Sequence, residues 1–423
     1  MKKFIFKSYN FDKQKNQANF EYSYGKGMDF IESAVFEADS KYDQDALDRA
    51  LFLAFILVGV SYYKTFPSTK VEMDIPIDKW QADFLNTVYQ EGLGQYAYFN
   101  RLTRDDLAHY KASAKHSAEK PVKYSGEGVI ALQSGGKDSL LTALMLEKAQ
   151  KEFVSWYVSN GESYPIILDD VGDNLVITRR KIDKPGLQKA FEHGAKNGHV
   201  PITYIIQSLA VIQSILLNKK EILVSIAHEG EEPHAFIGNL AVTHQWSKTW
   251  AAEQLFADYV AKYISPDISI GSPLRNHSEL SVAEMFAKNC WADFGHEFSS
   301  CNVANYTQGD DNTHLSWCGN CPKCANSYLL FAPFLSANEL KAIFGGTDLF
   351  TKNSLSLTFK GLLGIDGIPK PFECVGEIDE LRLAYHLAQS RGGYNKLPFD
   401  VPQSTFDYKK IYPSQGWATE MLQ

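Results

Sequence analysis

Short apolar segments alternate with longer amphipathic ones along the chain from Gly128 onward. Strands are predicted over residues 129–132, 153–158, 175–178 and 222–226. A helix is predicted over residues 139–151, where apolar side chains recur at helical spacing. Each predicted strand ends in small or polar residues, and an open α/β sheet builds its ligand site at such ends. The pattern therefore predicts an α/β fold in which a parallel sheet is sandwiched by helices.

The N-terminal part of the chain follows a different pattern. Aromatic and polar residues alternate over residues 19–24, which predicts a strand or hairpin, and helical patterns cover residues 45–64 and 79–101. A polar segment at residues 112–128 then indicates a boundary. We predict an N-terminal α+β domain over residues 1–118, the main α/β domain over 119–340 and a C-terminal extension over 341–423.

The composition is that of a globular enzyme. Of the 423 residues, 44% are hydrophobic and 22% are charged, which excludes extensive disorder. The formal net charge of −8 disfavours a dedicated nucleic-acid-binding protein. The longest apolar run, residues 50–63, is shorter than the roughly 20 residues of a membrane-spanning helix, so we expect a buried helix and no membrane association. The N-terminus lacks an export-signal pattern, and we expect a cytoplasmic protein.

The sharpest motif is the hexapeptide Ser134-Gly135-Gly136-Lys137-Asp138-Ser139, between a predicted strand and a predicted helix. Two glycines allow a tight turn that presents backbone N–H groups to an anion, and Lys137 adds a positive charge. Asp138 is a candidate Mg²⁺ ligand, because Mg²⁺ in nucleotide sites binds one or two carboxylates and phosphate oxygens. A serine-capped turn without a ligand is the alternative. The sequence does not match the Walker pattern, so ordinary γ-phosphate transfer is not indicated.

This hexapeptide resembles the SGG-x-DS loop of the PP-loop ATP pyrophosphatases. The resemblance implies an adenine nucleotide alpha hydrolase-like fold and cleavage of ATP between the α and β phosphates, with AMP passed to an oxygen nucleophile of the substrate. It also implies that Ser134, Gly136, Lys137 and Ser139 grip the departing pyrophosphate, within a loop completed by Gly135. ATP and Mg²⁺ are the cofactors expected on this basis.

Four of the six cysteines lie close together in the sequence: Cys301, Cys318, Cys321 and Cys324. Four thiolates match a tetrahedral, structural Zn²⁺ site. An iron–sulfur cluster would use the same ligands, and free buried thiols are the third interpretation. A similar arrangement closes the PP-loop enzyme 7-cyano-7-deazaguanine synthase. We expect structural zinc.

Further polar strings resemble the ATP-dependent UDP-N-acetylmuramoyl-L-alanyl-L-glutamate epimerases of bacterial cell-wall synthesis. These strings cover residues 197–201, 238–239, 244–248, 273–280, 317–319 and 370–377. The resemblance runs from about residue 125 to residue 380. It implies that a UDP-muramoyl dipeptide is the substrate and that its terminal L-Glu becomes D-Glu. The implied route is an acyl adenylate, which makes Cα acidic enough for a side-chain base, with release of AMP and pyrophosphate.

Six side chains outside the loop are candidates for binding this substrate. They are Arg179, Arg180, His244, Lys248, Arg275 and His277. The two adjacent arginines follow a predicted strand end, where they would meet a diphosphate or form a solvated charge run. Glu229 and His228 join Lys137 and Asp138 in the predicted catalytic set. We rank these two bases ahead of Cys374, which is either a base or a packed thiol, because a buried thiol needs a larger pKa adjustment.

Two other classes of function stay open on the sequence alone. A nucleobase-modifying or tRNA-modifying enzyme of the PP-loop type, or a nitrile synthase acting on a small molecule, would account for the loop and the cysteines. A protein that senses adenine nucleotides without consuming them would account for the loop, although Lys137 and Asp138 favour turnover. The sequence patterns do not indicate an oligomeric state.

Overall fold

A nine-stranded sheet lies at the centre of the described chain. The computed structural model describes residues 3–113, 119–172, 174–307 and 313–422. The strands of this sheet are β1 (Phe4–Asp12), β2 (Gln17–Ser23), β3 (Asp29–Val35), β4 (Val71–Met73), β5 (Val129–Leu132), β6 (Phe153–Ser159), β7 (Leu175–Lys181), β8 (Glu221–Leu223) and β11 (Ser269–Gly271). A separate hairpin is formed by β9 (Ala235–Ile237) and β10 (Leu240–Val242).

The strand order is β11-β8-β5-β6-β7-β3-β2-β1-β4. The first five of these strands are parallel to one another. β3, β2 and β1 continue the sheet in antiparallel pairing, and β4 adds in parallel to β1. The predicted α/β fold with a parallel sheet is confirmed.

Helices cover the sheet and extend beyond it. They are α1 (Gln44–Tyr63), α2 (Lys79–Gln90), α3 (Gly94–Asn100), α4 (Lys137–Lys148), α5 (Lys184–Glu192), α6 (Ile202–Leu216), α7 (Trp250–Tyr259), α8 (Glu279–Asn289), α9 (Trp291–Phe294), α10 (Pro322–Phe331), α11 (Ala337–Ala342), α12 (Ser356–Leu362), α13 (Ile378–Arg391) and α14 (Gly416–Glu420). The helical pattern predicted over residues 79–101 corresponds to two helices, because the chain turns between α2 and α3.

The long apolar run is a core helix, as predicted. α1 begins after the N-cap Asp43, whose side chain accepts a hydrogen bond from the N–H of Ala46. The helix packs against α6, β1 and β2. By length and composition alone this helix could cross a membrane, but 83% of its most apolar stretch is buried inside the protein. Its hydrophobicity is therefore explained by core packing.

The sheet crosses the boundary predicted at residue 118. β7 does not end at residue 178 as predicted but continues to Lys181, because its last three residues pair with residues 33–35 of β3. Apolar side chains from both sides of residue 118 share one core cluster, which includes Phe20, Phe55 and Ile212. The antiparallel strands thus extend the parallel sheet.

A second core joins the C-terminal region to the main α/β part. Phe350 and Leu381 lie in the same buried cluster as Leu140 of α4 and Phe286 of α8. The Tyr328 and Phe350 rings meet edge to face, with 4.9 Å between their centroids. This packing fixes the segment between α12 and α13, residues 363–377, beside the loops that follow the parallel strands.

Candidate active site

The glycine-rich loop connects β5 to α4, in the predicted strand–loop–helix context. Gly135 has a φ of +74°, and a Cβ there would collide with the side chain of Leu315. Ser139 Oγ accepts from the N–H of Ser134 and donates to the carbonyl of Gly136, both at 3.2 Å. Gly136 is the N-cap of α4, and within the described chain no side chain caps the helix there. The first N–H groups of α4 are therefore available to an anion.

Lys137 is held between two carboxylates. Its Nζ donates to Asp138 Oδ1 at 2.6 Å and to Glu279 Oε2, from the first turn of α8, at 2.8 Å. Burial of the ammonium group acts to lower the pKa of Lys137, but the two carboxylates outweigh burial and raise it. Burial likewise acts to raise the pKa of Glu279, and Lys137 outweighs it and lowers that pKa. The termini of α4 and α8 thus share a buried charged cluster.

Glu279 also lines a cavity that lies against this cluster. One wall is the loop after β8, which carries Glu229, and another is the segment that carries Cys374. Lys248 lines the same cavity, with Nζ 3.3 Å from Glu229 Oε1. Burial acts to lower the pKa of Lys248, but Cys374, Glu229, Asp138 and Glu279 together raise it. The structure therefore brings the loop, Glu229 and Lys248 together.

His228 lines the same cavity but is neutral at pH 7. Its ring stacks on Tyr412, with centroids 3.6 Å apart, and Nδ1 is buried with no hydrogen-bond partner among the described residues. Burial, with Arg275 and Lys410 nearby, lowers the pKa of His228 to about 4. Such an imidazole is only weakly basic, whereas Glu229 lies beside the ammonium group of Lys248 in the same cavity.

Arg275 supports the site from behind and does not line the cavity. Its side chain is 0% exposed and forms an ion pair with Glu253 at 2.8 Å. It also donates to the carbonyls of Ala227 and Lys248, at 2.8 and 2.9 Å. The guanidinium therefore fixes the backbone on both sides of the cavity, and its predicted contact with substrate stays a prediction.

His277 is likewise a supporting residue. Its carbonyl accepts the N–H of His228 at 2.8 Å, and its ring lies 3.5 Å from Ser281 Oγ. Burial lowers the pKa of His277. The residue lies behind the cavity lining, and its predicted contact with substrate stays a prediction.

The two arginines predicted to meet a diphosphate lie within β7, away from the cavity lining. Arg180 is buried and donates to Glu32 Oε1 at 2.6 Å, while Tyr62 donates to the other oxygen of Glu32. Arg179 is half exposed and pairs with Glu162 at 3.3 Å. The charge of Arg180 is thus already neutralised inside the sheet, and its role as a substrate ligand stays a prediction.

His244 borders the cavity within a group of histidines. Its Nδ1 lies 2.8 Å from Gln95 Oε1, and its ring lies 4.8 Å from that of His199 and 6.3 Å from that of His234. Burial, followed by the repulsion from those two rings, lowers the pKa of His244 to about 2. A neutral His244 offers hydrogen bonds to a ligand and no charge.

The four clustered cysteines come together in space, as predicted. The sulfurs of Cys301, Cys318, Cys321 and Cys324 all lie within 4.8 Å of one another. The N–H groups of Ala304, Gly319 and Asn320 point at three of them, at 3.3–3.4 Å. Thiolates accept such hydrogen bonds, so this donor set fits a tetrahedral metal ion better than four free thiols.

Sequence reasoning missed two acidic residues of the site. Glu279 lies next to the serine that caps α8, and Glu377 lies 4.0 Å from His228 Nε2 at the N-cap of α13. Both occur in the polar strings at residues 273–280 and 370–377, but nothing in the strings distinguishes a site carboxylate from a helix-capping one. Only the packing of the folded chain reveals them, since α8 brings Glu279 to the glycine loop and α13 brings Glu377 to the loop after β8.

The fold and the site together define an α/β protein with a glycine-rich loop beside a cavity lined by carboxylates, lysines, histidines and a thiol. A family model described as the MurL N-terminal domain matches residues 1–271, and one described as the MurL C-terminal domain matches residues 297–401. The chain therefore belongs to the MurL family.

Curated relatives agree with this assignment. Three proteins named UDP-N-acetyl-alpha-D-muramoyl-L-alanyl-L-glutamate epimerase, from Xanthomonas oryzae pv. oryzae, Salinispora tropica and a Micromonospora strain, are 32%, 31% and 30% identical to this chain. The matches cover 91%, 99% and 94% of this chain and 85%, 91% and 89% of the relatives. The predicted resemblance to these epimerases is confirmed, and membership of the PP-loop superfamily stays a prediction.

Among solved structures, a diaminopropionate ammonia lyase from Escherichia coli aligns with a TM-score of 0.14 at 10% identity, over 85% of this chain and 98% of that chain. A likeness at this level carries no argument about fold or function.

Proposed function

We propose that this chain epimerises the terminal L-Glu of UDP-N-acetylmuramoyl-L-Ala-L-Glu to D-Glu, at the expense of ATP, in cytoplasmic peptidoglycan precursor synthesis. The names of the three relatives support the substrate. The observation that carries the ATP-dependent mechanism is the position of Lys248, whose charge interacts with Asp138 and Glu279 at the loop and with Glu229 in the cavity. The cavity also includes Glu279, which pairs with Lys137 of the glycine loop, so a substrate bound there would lie beside both the loop and a candidate base.

The first half of the reaction belongs to the glycine loop. The N-terminal N–H groups of α4 and the ammonium group of Lys137 would bind the phosphates of ATP. The substrate carboxylate then attacks the α phosphorus, and pyrophosphate leaves. The substrate carboxylate loses its charge in this step, because it becomes the carbonyl of an acyl adenylate.

The second half takes place at Cα. A neighbouring carboxylate resists deprotonation of Cα, since a second negative charge would build beside the first, whereas an acyl carbonyl delocalises that charge. Glu229 takes the proton, and the ammonium group of Lys248 stabilises the oxygen on which the charge develops. Reprotonation on the other face and hydrolysis yield the D-Glu product and AMP.

Two metal ions fit side chains of the chain. Asp138 would hold Mg²⁺ beside the phosphates. Burial is the largest influence on the pKa of Asp138 and raises it, so a further cation would stabilise the ionised form. The four clustered thiols would hold Zn²⁺ in a closed, structural site, which supplies folding energy and no catalytic position.

The test is product analysis with purified protein, ATP and Mg²⁺. With UDP-N-acetylmuramoyl-L-Ala-L-Glu as substrate, we expect the release of AMP and pyrophosphate. Hydrolysis of the dipeptide in the product should then yield D-Glu. Carboxydeazaguanine, the substrate of the rival nitrile synthase, should give none of these. Release of ADP and orthophosphate would contradict the proposed cleavage, and the absence of turnover with ATP bound would favour a nucleotide sensor.

A further inference from the structure

Cys374 is the sixth cysteine of the chain, and its surroundings differ from those of the other five. Cys290 is buried in the second core, where burial raises its thiol pKa to about 12. The clustered four contact one another. Cys374 instead lines the cavity with Glu229, Lys248 and Glu279.

The backbone around Cys374 is held firmly by bonds that do not use its thiol. Lys323 Nζ donates to the carbonyl of Cys374 at 3.0 Å, and the N–H of Gly376 donates to Asn326 Oδ1 at 2.9 Å. At the start of the same segment, Lys370 pairs with Glu232 of the opposite loop at 2.5 Å. The thiol is therefore presented to the cavity from a rigid segment, which is what a proton-transfer group needs.

Inversion at a carbon atom needs a proton removed from one face and a proton delivered to the other. Glu229 and Cys374 reach the cavity on two different segments, the loop after β8 and the segment before α13. Lys248 lies within electrostatic reach of both. A carboxylate accepts a proton and a thiol donates one, so the two groups are chemically suited to the two halves of the inversion.

We propose that Cys374 is the second catalytic residue of the epimerisation and delivers a proton to the face of Cα opposite Glu229. This inference rests on the proposed function. The carboxylate of Glu229 takes the Cα proton of the L-glutamyl adenylate, and the electrons of the C–H bond move onto the acyl oxygen beside Lys248. The S–H bond of Cys374 then breaks and a new C–H bond forms at Cα. Water hydrolyses the D-glutamyl adenylate to D-Glu and AMP, and the proton on Glu229 returns to the thiolate through solvent.

The environment of the thiol agrees with the role of a proton donor. Burial is the largest influence on its pKa and raises it, while Lys248 and Lys323 act in the opposite direction. The thiol therefore favours its protonated form, which delivers the proton to the L-derived carbanion. Lys248 and Lys323 stabilise the thiolate that remains, and this thiolate is the base when the D form binds.

One-sided hydrogen exchange tests this assignment. The holoenzyme with ATP and Mg²⁺ in D₂O is given either the L-Glu or the D-Glu form of the UDP-muramoyl dipeptide. In Cys374→Ala, we expect D product from the L form to fall about a hundredfold or more, while AMP release continues and the recovered L form gains deuterium at Cα. Cys290→Ala, which alters a thiol outside the cavity, should make D product at the parent rate.

Glu229→Gln provides the mirror experiment with the thiol intact. It should fail to exchange Cα of the L form but still exchange Cα of the D form. Equal D-product formation by Cys374→Ala and the parent would overturn the assignment, and so would the absence of exchange in the D form with Glu229→Gln. A parent enzyme that makes no D product would instead refute the proposed function, so the two failures are distinguishable.

Discussion

Lys137 has two roles that can be separated by pH. It binds phosphate in the proposed reaction and neutralises the buried carboxylates of Asp138 and Glu279. We expect Lys137→Ala to lower the rate of AMP formation by about 10²–10³-fold, the usual loss for one charge-stabilising group. It should also lower the free energy of unfolding by about 3 kcal/mol at pH 8, because a buried carboxylate pair loses its cation.

The sign of the pH dependence follows from the lowered pKa of Glu279. In the parent, this carboxylate contributes stability above its unfolded pKa, and the contribution is lost as the pH falls through the lowered folded value. Without Lys137, burial raises the pKa of the two carboxylates, and they bind protons as the pH falls from 8 to 5. The variant then regains stability, so the difference in unfolding free energy between variant and parent should shrink from pH 8 to pH 5. Urea unfolding at both pH values measures this, and a constant difference would contradict the charged cluster.

Glu380 offers a second pH test. It is 1% exposed, accepts the N–H of Leu280 at the start of α8 at 2.7 Å, and burial raises its pKa from 4.5 to about 8. The folded protein holds this proton while the unfolded chain releases it, so stability is lost as the pH rises from about 4.5 to about 8. Glu380→Gln keeps the acceptor and cannot ionise. It should raise the unfolding free energy by on the order of 2–3 kcal/mol at pH 8 and change it little at pH 4.5.

The matched control is Glu284→Gln. Burial acts to raise the pKa of Glu284, but Lys288 and Lys409 outweigh it and lower that pKa, so this variant should not gain stability at pH 8. Equal gains in both variants would show that the effect of Glu380→Gln is not caused by burial of its charge.

At the level of elements, the buried ion pair between β7 and β3 joins the parallel sheet to its antiparallel extension. Arg180→Ala leaves Glu32 buried without its cation, and we expect a loss of about 3–5 kcal/mol in unfolding free energy. The double variant Arg180→Met with Glu32→Leu removes both charges and should recover most of that loss. The KM of this double variant for the UDP-muramoyl dipeptide should match the parent value. A tenfold increase in KM would instead support the prediction that Arg180 binds the diphosphate of the substrate.

The most accurate predictions concern elements that are determined by the pattern of apolar and polar residues within the element itself. β5 covers the predicted residues 129–132, β6 ends one residue later than predicted, and α1 both begins and ends one residue earlier than predicted. The predicted β7 ends too early because Arg179 and Arg180 resemble a loop in the sequence. Their strand conformation depends on pairing with β3, about 150 residues away along the chain. A three-residue strand such as β11 has too little sequence to show an alternation.

The candidate site likewise has a part that the sequence predicts and a part that only the folded structure shows. The glycine loop and the four cysteines carry their chemistry in consecutive or closely spaced residues, and the structure gathers both as predicted. Arg275, Glu279 and Glu380 are charged residues whose roles depend on which groups surround them after packing. A sequence pattern cannot separate a buried supporting guanidinium from a substrate contact.

At the scale of the whole molecule, the cysteine cluster connects the residues after α9 to α10 and the second core. We expect about one equivalent of zinc per chain by metal analysis, and a lower melting temperature for Cys321→Ser, because structural metal binding is coupled to folding. Cys290→Ser, outside the cluster, should keep its zinc. Metal-free protein with unchanged melting would contradict a structural zinc site.

In the proposed reaction, ATP is consumed to make Cα acidic. The measurement that tests this most directly follows deuterium at Cα of the glutamate when the enzyme and UDP-N-acetylmuramoyl-L-Ala-L-Glu are mixed in D₂O, with and without ATP. We predict D-Glu product with solvent deuterium at Cα when ATP is present, and no exchange in either form of the substrate when it is absent. Exchange at the same rate without ATP, or inversion with ATP that retains the original hydrogen, would contradict the account.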